Sequence, residues 1–526
     1  MEHDEQPNND EGPDAYLSGL RLWAVLVVVT LASFIMFLDV TIISTAIPYI
    51  TDEFRSLPDI GWYGSAYTLA SSALQPASGK LYSHFNLRWT FLSFVAVLEV
   101  GSLVCGLARS STAFIVGRAV AGLGAAGMLN GALTIIAAST PLNKRSTLTG
   151  IVIGVAYTGS VAAPVFGGLL TQYRSWRWCF LINLPIGGLV FLVLFFISIP
   201  EISKKHTTLS SLPSMFSKLD IAGLFLLAPV IVMVLLALHY GGNQHPWNSS
   251  VIGLLIGGAA TFALFILWEY RKGMDAMIPL EFLANRVIYS SAGATGFMTA
   301  ALVVHSYYLP IYFQAIRHAT PTLSGVYILP SVLSQLVFSS VGGPLVSRIE
   351  YLLPFMLLSS IVLSVSGGLL SLFGPHTPTS KWVGYQILLG FGRGVGIQMP
   401  TLAVQAILPP QDVPVGLSII LFSQTFLSSI FLTVANAVFR DVLAARLSGE
   451  IPEEVAYGIV HSGVTDIWST VPKQYVDEVL GAYSKSISAV FYLSAALGVV
   501  YFVFSWGIGR TKIESKEQVT SEDTTT

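Results

Sequence analysis

Four charged side chains stand inside long apolar runs of this chain: Asp39, Glu99, Arg118 and Arg393. A charge in hydrocarbon is costly and is kept where it faces a partner or a water-filled cavity. Desolvation favours a neutral carboxyl group, whereas a neighbouring guanidinium favours the carboxylate. A carboxyl group held between these two influences can load and release a proton, which is the chemistry of a proton-driven carrier. Helix register makes Asp39 and Arg118 partners. A helix starting at Leu22 places Asp39 about 25 Å along it, and an antiparallel one starting at Thr112 places Arg118 about 9 Å from the far side. The two fall at similar depth, with Glu99 and Arg393 nearer the middle. Asp39, Arg118 and Glu99 are therefore candidate proton-coupling residues; the alternative is a static ion pair that holds helices together.

Uncharged polar residues in the same runs are candidate substrate contacts. Gln75, Asn130, Tyr307, Tyr308, Gln314, Gln398 and Gln405, together with Arg393, would supply the few polar groups of a mostly apolar cavity. Each serves equally well as a hydrogen bond between helices. His239 and His305 read as satisfied core histidines. Two glycine-rich stretches, 117–127 and 154–168, permit close helix contact. In the second, Gly154, Gly159, Pro164, Gly167 and Gly168 form a candidate hinge, because Pro164 removes a backbone hydrogen bond; plain tight packing is the alternative. No HExxH, GxSxG or phosphate-binding Gly-rich loop with Lys-Ser/Thr occurs, so neither an enzyme nor an ATP-driven pump is expected. No cofactor is expected. Nor is a metal site, since Cys105 and Cys179 are the only cysteines and read as buried thiols.

The elements that position these residues must be membrane helices. Of 526 residues, 53% are hydrophobic and 11% charged, and the mean hydropathy is +0.68. A soluble chain cannot hide that much apolar surface. A net charge of −2 weighs against nucleic acid as a partner. Apolar stretches long enough to cross a bilayer number fourteen, predicting an all-α polytopic protein. Their grouping is 6+2+6: a bundle over 21–198, a linker over 199–218, two extra spans over 219–270, and a second bundle over 271–510 with a long outer loop at 440–483. Residues 1–20 and 511–526 read as polar cytosolic tails. Lys and Arg concentrate on the side of both termini, which the positive-inside rule assigns to the cytosol. Asn248, in the one N-x-S/T sequon, then faces outward as a glycosylation candidate.

Several motifs go further. Leu38-Asp39-Val40-Thr41-Ile42, Gly117-Arg118 with Gly122 and Gly124, Gly154 to Pro164 with Gly167-Gly168, Trp176-Arg177-Trp178-Cys179-Phe180, Ile182-Asn183-Leu184-Pro185 and Leu309-Pro310-Ile311-Tyr312-Phe313-Gln314 lie in order along the chain. Together they resemble the fourteen-span drug:H+ antiporters of the major facilitator superfamily, over nearly all of 22–510. The resemblance implies two six-helix bundles around a central cavity, alternating access, and proton-coupled efflux of a small amphipathic compound such as a fungal metabolite, toxin or drug. It also implies a monomer in the plasma membrane or a vacuolar or vesicular one, with protons, a small-molecule substrate and lipid as its partners. Uptake or vacuolar sequestration of a basic amino acid or iron chelate is the alternative, as is a degenerate relative that transports nothing. Departures fall at Ser83, Asn86 and Leu87, where the family places an aspartate, a glycine and a basic residue of a charge latch, and at Ala121 and Ala163, where it places glutamine and glycine.

Overall fold

The computed structural model describes residues 16–54, 59–201, 220–243, 248–448, 451–452 and 471–512. Of the expected tails, linker and outer loop, most lies outside the described residues. Among the described residues seventeen α-helices run in order: α1 Gly19–Phe54, α2 Ile60–His84, α3 Leu87–Leu107, α4 Ser111–Ser139, α5 Leu142–Tyr173, α6 Trp178–Leu181, α7 Asn183–Phe196, α8 Ile221–Asn243, α9 Ser249–Lys272, α10 Leu280–Ala284, α11 Arg286–Ile311, α12 Pro321–Ile349, α13 Leu353–Leu370, α14 Thr379–Gly396, α15 Met399–Ile407, α16 Val413–Leu447 and α17 Val476–Ser505.

Among the described residues, thirteen segments are long and apolar enough to cross a membrane. This is one fewer than the fourteen stretches read from sequence. The difference is α2, which is 25 residues long but is diluted by Gly, Ser, Gln and Tyr. Two boundaries also move. Helix α16 continues to Leu447 and α17 begins at Val476, so residues 440–447 and 476–483 at the two ends of the loop expected at 440–483 are helical. One apolar stretch of the second bundle is two helices, α14 and α15, broken at Ile397–Gln398.

Polar caps set several helix starts. Asn86, Ser110, Asn248 and Asn285 each accept a backbone N–H from the first turn of the helix that follows, satisfying a donor that the helix leaves orphaned. Asn248 is thus a helix cap as well as the sequon residue. Packing then separates the helices. α4 receives α3 and α2, and α1 lies along α5; in the second half α11 packs on α16 and α17, and α13 and α12 on α14. The two halves meet where α5 lies on α12 and α2 on α16. The pair α8–α9 leans by α8 against that second seam.

Glycine decides how close these helices come. A methyl group on Gly101 would lie 2.2 Å from the Ala121 backbone nitrogen, one on Gly122 2.2 Å from the Tyr67 carbonyl oxygen, and one on Gly124 2.3 Å from the Leu98 nitrogen. The family's usual glutamine gives way to Ala121 at a place where α3 and α4 are in backbone contact. Cys105 and Cys179 are free and buried within the first bundle rather than facing lipid.

Asp220 anchors the extra pair. Its carboxylate caps α8 through Gly223 N–H (2.9 Å) and accepts from Trp268 Nε1 of α9 (2.8 Å) and from Met277 N–H (3.2 Å). Nearby, Lys80 Nζ of α2 donates to the Met274 carbonyl (2.7 Å), fastening the pair to the first bundle. Burial pushes the Asp220 carboxyl up, but the bonds from Trp268, Gly223 and Met277 help outweigh it and hold the group below its ordinary value.

Two outcomes follow. Gly101→Val should lower the melting temperature of the detergent-purified protein by several degrees or abolish its monodisperse elution, since overpacking costs about 1–3 kcal/mol. Gly188→Val, which meets nothing within 4 Å, should leave both unchanged; equal behaviour of the two would refute the close contact. Because its folded value is lowered, Asp220 contributes stability that is fully present above the ordinary aspartate range and lost as pH falls through the native value. Acid titration of the native protein should therefore show a loss of stability that Asp220→Asn, destabilised from the start, does not share.

Candidate functional site

Helix α1 runs beside α5, α7 and α4, and Asp39 faces the interior of that group. Arg118 Nη1 donates to Asp39 Oδ2 at 2.7 Å, with the side chains 1% and 0% exposed. Arg118 Nε donates to the Tyr63 carbonyl (3.1 Å), and its guanidinium lies 4.5 Å from the Tyr67 ring centroid and 5.8 Å from that of Phe180. The other carboxylate oxygen, Oδ1, accepts from Asn183 Nδ2 at 3.1 Å, and the same amide donates to Ser102 Oγ at 3.1 Å. A charge-assisted bond, a second donor and two π-faces make this a buried, supported ion-pair site.

Glu99 does not join that pair. It sits one turn before Ser102 on α3, facing Gly187, one turn after Asn183 on α7; a methyl group on Gly187 would collide with its Oε1. Both Glu99 oxygens are buried without a hydrogen-bond partner. The α3–α7 seam thus carries a second carboxyl group one turn from the Asn183–Ser102 bond that supports the first.

A separate polar group gathers between the bundles. Tyr157 of α5 stacks on Phe37 of α1, with ring centroids 4.3 Å apart, and its hydroxyl accepts from Gln424 Nε2 of α16 at 3.4 Å. Arg393 of α14 lies within electrostatic reach of that hydroxyl. One Arg393 nitrogen donates to the Leu302 carbonyl at 2.9 Å. At the next residue of α16, Thr425 Oγ1 donates to Gln75 Oε1 of α2 at 2.8 Å, crossing the same interface. Tyr157 is about 22 Å along α5 and Gln424 about 16 Å along α16, so this group lies in the middle of the molecule.

On the face that carries the α2–α3 and α4–α5 turns, the bundles touch directly. Asn130 Nδ2 donates to Ser78 Oγ (2.9 Å) and to the Pro414 carbonyl (3.3 Å), and Ser83 Oγ donates to the Gln411 carbonyl (3.1 Å). Gly79 packs against Pro414, Val415 and Ser418, Gly343 against Thr147, and Gly150 against Gln398 and Ser339. These contacts close the interface on that face. Ser83 replaces an ionic latch by one neutral hydrogen bond. Asn86 caps α3 and donates to Glu201 Oε1 (2.6 Å).

The structure separates the expected cavity residues. Gln75 and Asn130 are inter-bundle hydrogen-bonders. Tyr308 is buried and donates to Asn436 Oδ1 (2.9 Å), and Gln314 Nε2 donates to Ser324 Oγ (2.9 Å), so both bind neighbouring helices. Tyr307 is 55% exposed. Gln398 donates to the Ser339 carbonyl (3.2 Å) at the α14–α15 break, and Gln405 is buried with neither amide atom bonded. His305 is hydrogen-bonded to Ser494 and stacked on Phe491, while the His239 side chain lies outside the described residues. In the expected hinge, α5 runs without a break from Leu142 to Tyr173, through Pro164. Gly154 packs on Leu336 and Ser339 across the interface and Gly159 on Phe34 of α1, Gly167 accepts from Thr171, and Gly168 meets nothing within 4 Å. Trp176 and Arg177 both donate to Glu53, tying α1 to the start of α6. Sequence reading singled out neither Tyr157, Gln424 nor Phe37, and placed Asn183 only in a motif. A tyrosine within a glycine-rich span was the available signal.

Two helical bundles meeting around a central polar group, with a buried ion pair in one of them, define a membrane transporter. The chain belongs to the Major Facilitator Superfamily, whose family profile matches residues 29–432. It is 50% identical over 503 residues to the MFS-type transporter pigP of Monascus ruber, covering 95% of this chain and 88% of that one. It is 44% identical over 526 residues to the efflux pump mlcE of Penicillium citrinum, covering 97% and 95%. The fold is that of the proton:xylose symporter XylE, with a TM-score of 0.60 at 12% identity over 95% of this chain and 99% of that one.

Asn183→Asp should be more damaging than Asn183→Ala. The alanine leaves two oxygens without a donor, costing about 1–3 kcal/mol, whereas the aspartate sets a second carboxylate against Asp39. A melting series on the purified variants checks this; an aspartate variant as stable as the native protein would contradict the amide's role.

Proposed function

We propose that this chain exports a small amphipathic organic compound in exchange for protons, by alternating access, as a monomer in the plasma membrane. The observation that carries the reading is the Asp39–Arg118 pair, buried and supported by Asn183. The efflux pumps among its relatives support the direction of transport. The Lys and Arg bias along the chain supports assigning the closed face, where α1 begins and α17 ends, to the cytosol. In that orientation the central group around Phe37, Tyr157 and Gln424 is reached from outside, the state in which substrate leaves and protons enter.

Coupling follows from charge. While Arg118 faces Asp39, the carboxylate is compensated. When helix motion loosens that contact, an uncompensated carboxylate in a low-dielectric interior takes a proton. Each passage through the outward-facing state then loads a proton, and the return passage delivers it inside. A static, purely structural pair is the competing account. The vesicle experiment separates them. In inverted vesicles with an imposed pH gradient, accumulation of a transported compound should need the gradient, and Asp39→Asn at equal expression should reduce it at least tenfold while gradient-independent equilibration persists. Gradient-independent accumulation in the native protein would end the coupling proposal.

A further inference from the structure

Arg393 differs from the other deep arginine. Arg118 is matched by Asp39, whereas no carboxylate among the described residues lies within ion-pair distance of Arg393. The residue is 4% exposed, Nε is buried with no hydrogen-bond partner, and among the described residues its one side-chain bond runs from Nη2 to the Leu302 carbonyl. A guanidinium stays charged in any protein environment. Buried charges are ordinarily paired, because desolvation is otherwise uncompensated.

The nearby groups supply no negative charge. His305, on the neighbouring α11, is occupied by Ser494. The Tyr157 hydroxyl approaches from the opposite bundle but is neutral, and it is engaged by Gln424. The cation therefore stands at the inter-bundle seam with donors to spare. The Phe37 and Tyr157 rings stack into an apolar wall, and the hydroxyl at its edge lies within electrostatic reach of Arg393.

We propose that the transported compound is an organic anion, its carboxylate or ionised enol docking on Arg393 while its apolar body lies along Phe37 and Tyr157. This rests on the export reading above and names the substrate class of the same central site. The ligand supplies the counter-charge that the protein omits, and a fixed guanidinium offers the planar fork that matches a carboxylate. Neutral amphipaths of the same shape would leave Arg393 uncompensated and should bind more weakly.

The test compares 4-(1-pyrenyl)butanoic acid with its methyl ester, one apolar body with and without the charge. Binding is measured by fluorescence on the full-length protein in nanodiscs, with empty nanodiscs subtracting partition, and transport in inverted vesicles. The native protein should bind and export the acid roughly ten- to hundredfold better than the ester, the range of one charge-assisted contact. Arg393→Gln should lose that preference while keeping ester binding, and Arg393→Lys should keep part of it. Equal handling of acid and ester by the native protein overturns the anion assignment and leaves export standing. Export of neither compound overturns both. If Arg393→Gln does not fold, the native acid-to-ester ratio alone decides. A preference that survives in a folded Arg393→Gln also refutes the assignment.

Discussion

A carboxylate held in a low-dielectric interior needs a compensating charge, and Asp39 finds one in Arg118. Much of the first bundle follows from that requirement. The arginine must reach across from α4 to α1, so the helices around it have to approach closely. Gly122 brings α2 within backbone contact and so sets the Tyr67 ring over the guanidinium. Gly101 and Gly124 do the same for α3, which brings Ser102 beneath Asn183. The glycines that in sequence could have meant packing alone are the means by which the ion pair is enclosed.

The same helix links this pair to the centre of the molecule. Phe37 and Asp39 are two residues apart on α1, about 200° around the helix axis. One therefore faces Tyr157 at the bundle interface and the other faces Arg118. Helix α5 is keyed to that stretch of α1 by Gly159 on Phe34 and by Ser160 Oγ donating to the Phe37 carbonyl (3.3 Å). A rotation or shift of α1 cannot move the aromatic wall without moving the carboxylate. This gives a physical route between a compound bound at the centre and a proton bound off-centre, with no contact between the two.

The elements were legible in sequence because lipid demands long apolar helices, and the depth arithmetic paired Asp39 with Arg118 for the same reason: helical rise is constant. Side-chain direction was less legible. Tyr308 and Gln314 looked like cavity residues, yet each is spent on a neighbouring helix, a choice set by rotation about the helix axis rather than by depth. The relation of Glu99 to Gly187 depends on a tertiary contact between α3 and α7 that no local pattern encodes. Helix α2 fell short of the apolarity of the other spans because it serves the interface, where Gln75, Ser78 and Gly79 meet the second bundle or support it. The lost charge latch was visible at Ser83, but its neutral replacement at Gln411 was not.

The coupling proposal turns on Asp39 exchanging a proton as the transported compound binds and leaves. Proton release from the purified protein in weakly buffered solution, counted as a transported compound is added, tests this most directly. The native protein should release close to one proton per compound bound, and Asp39→Asn should bind the compound and release none. Equal release from both, or none from either with binding intact, would contradict the account.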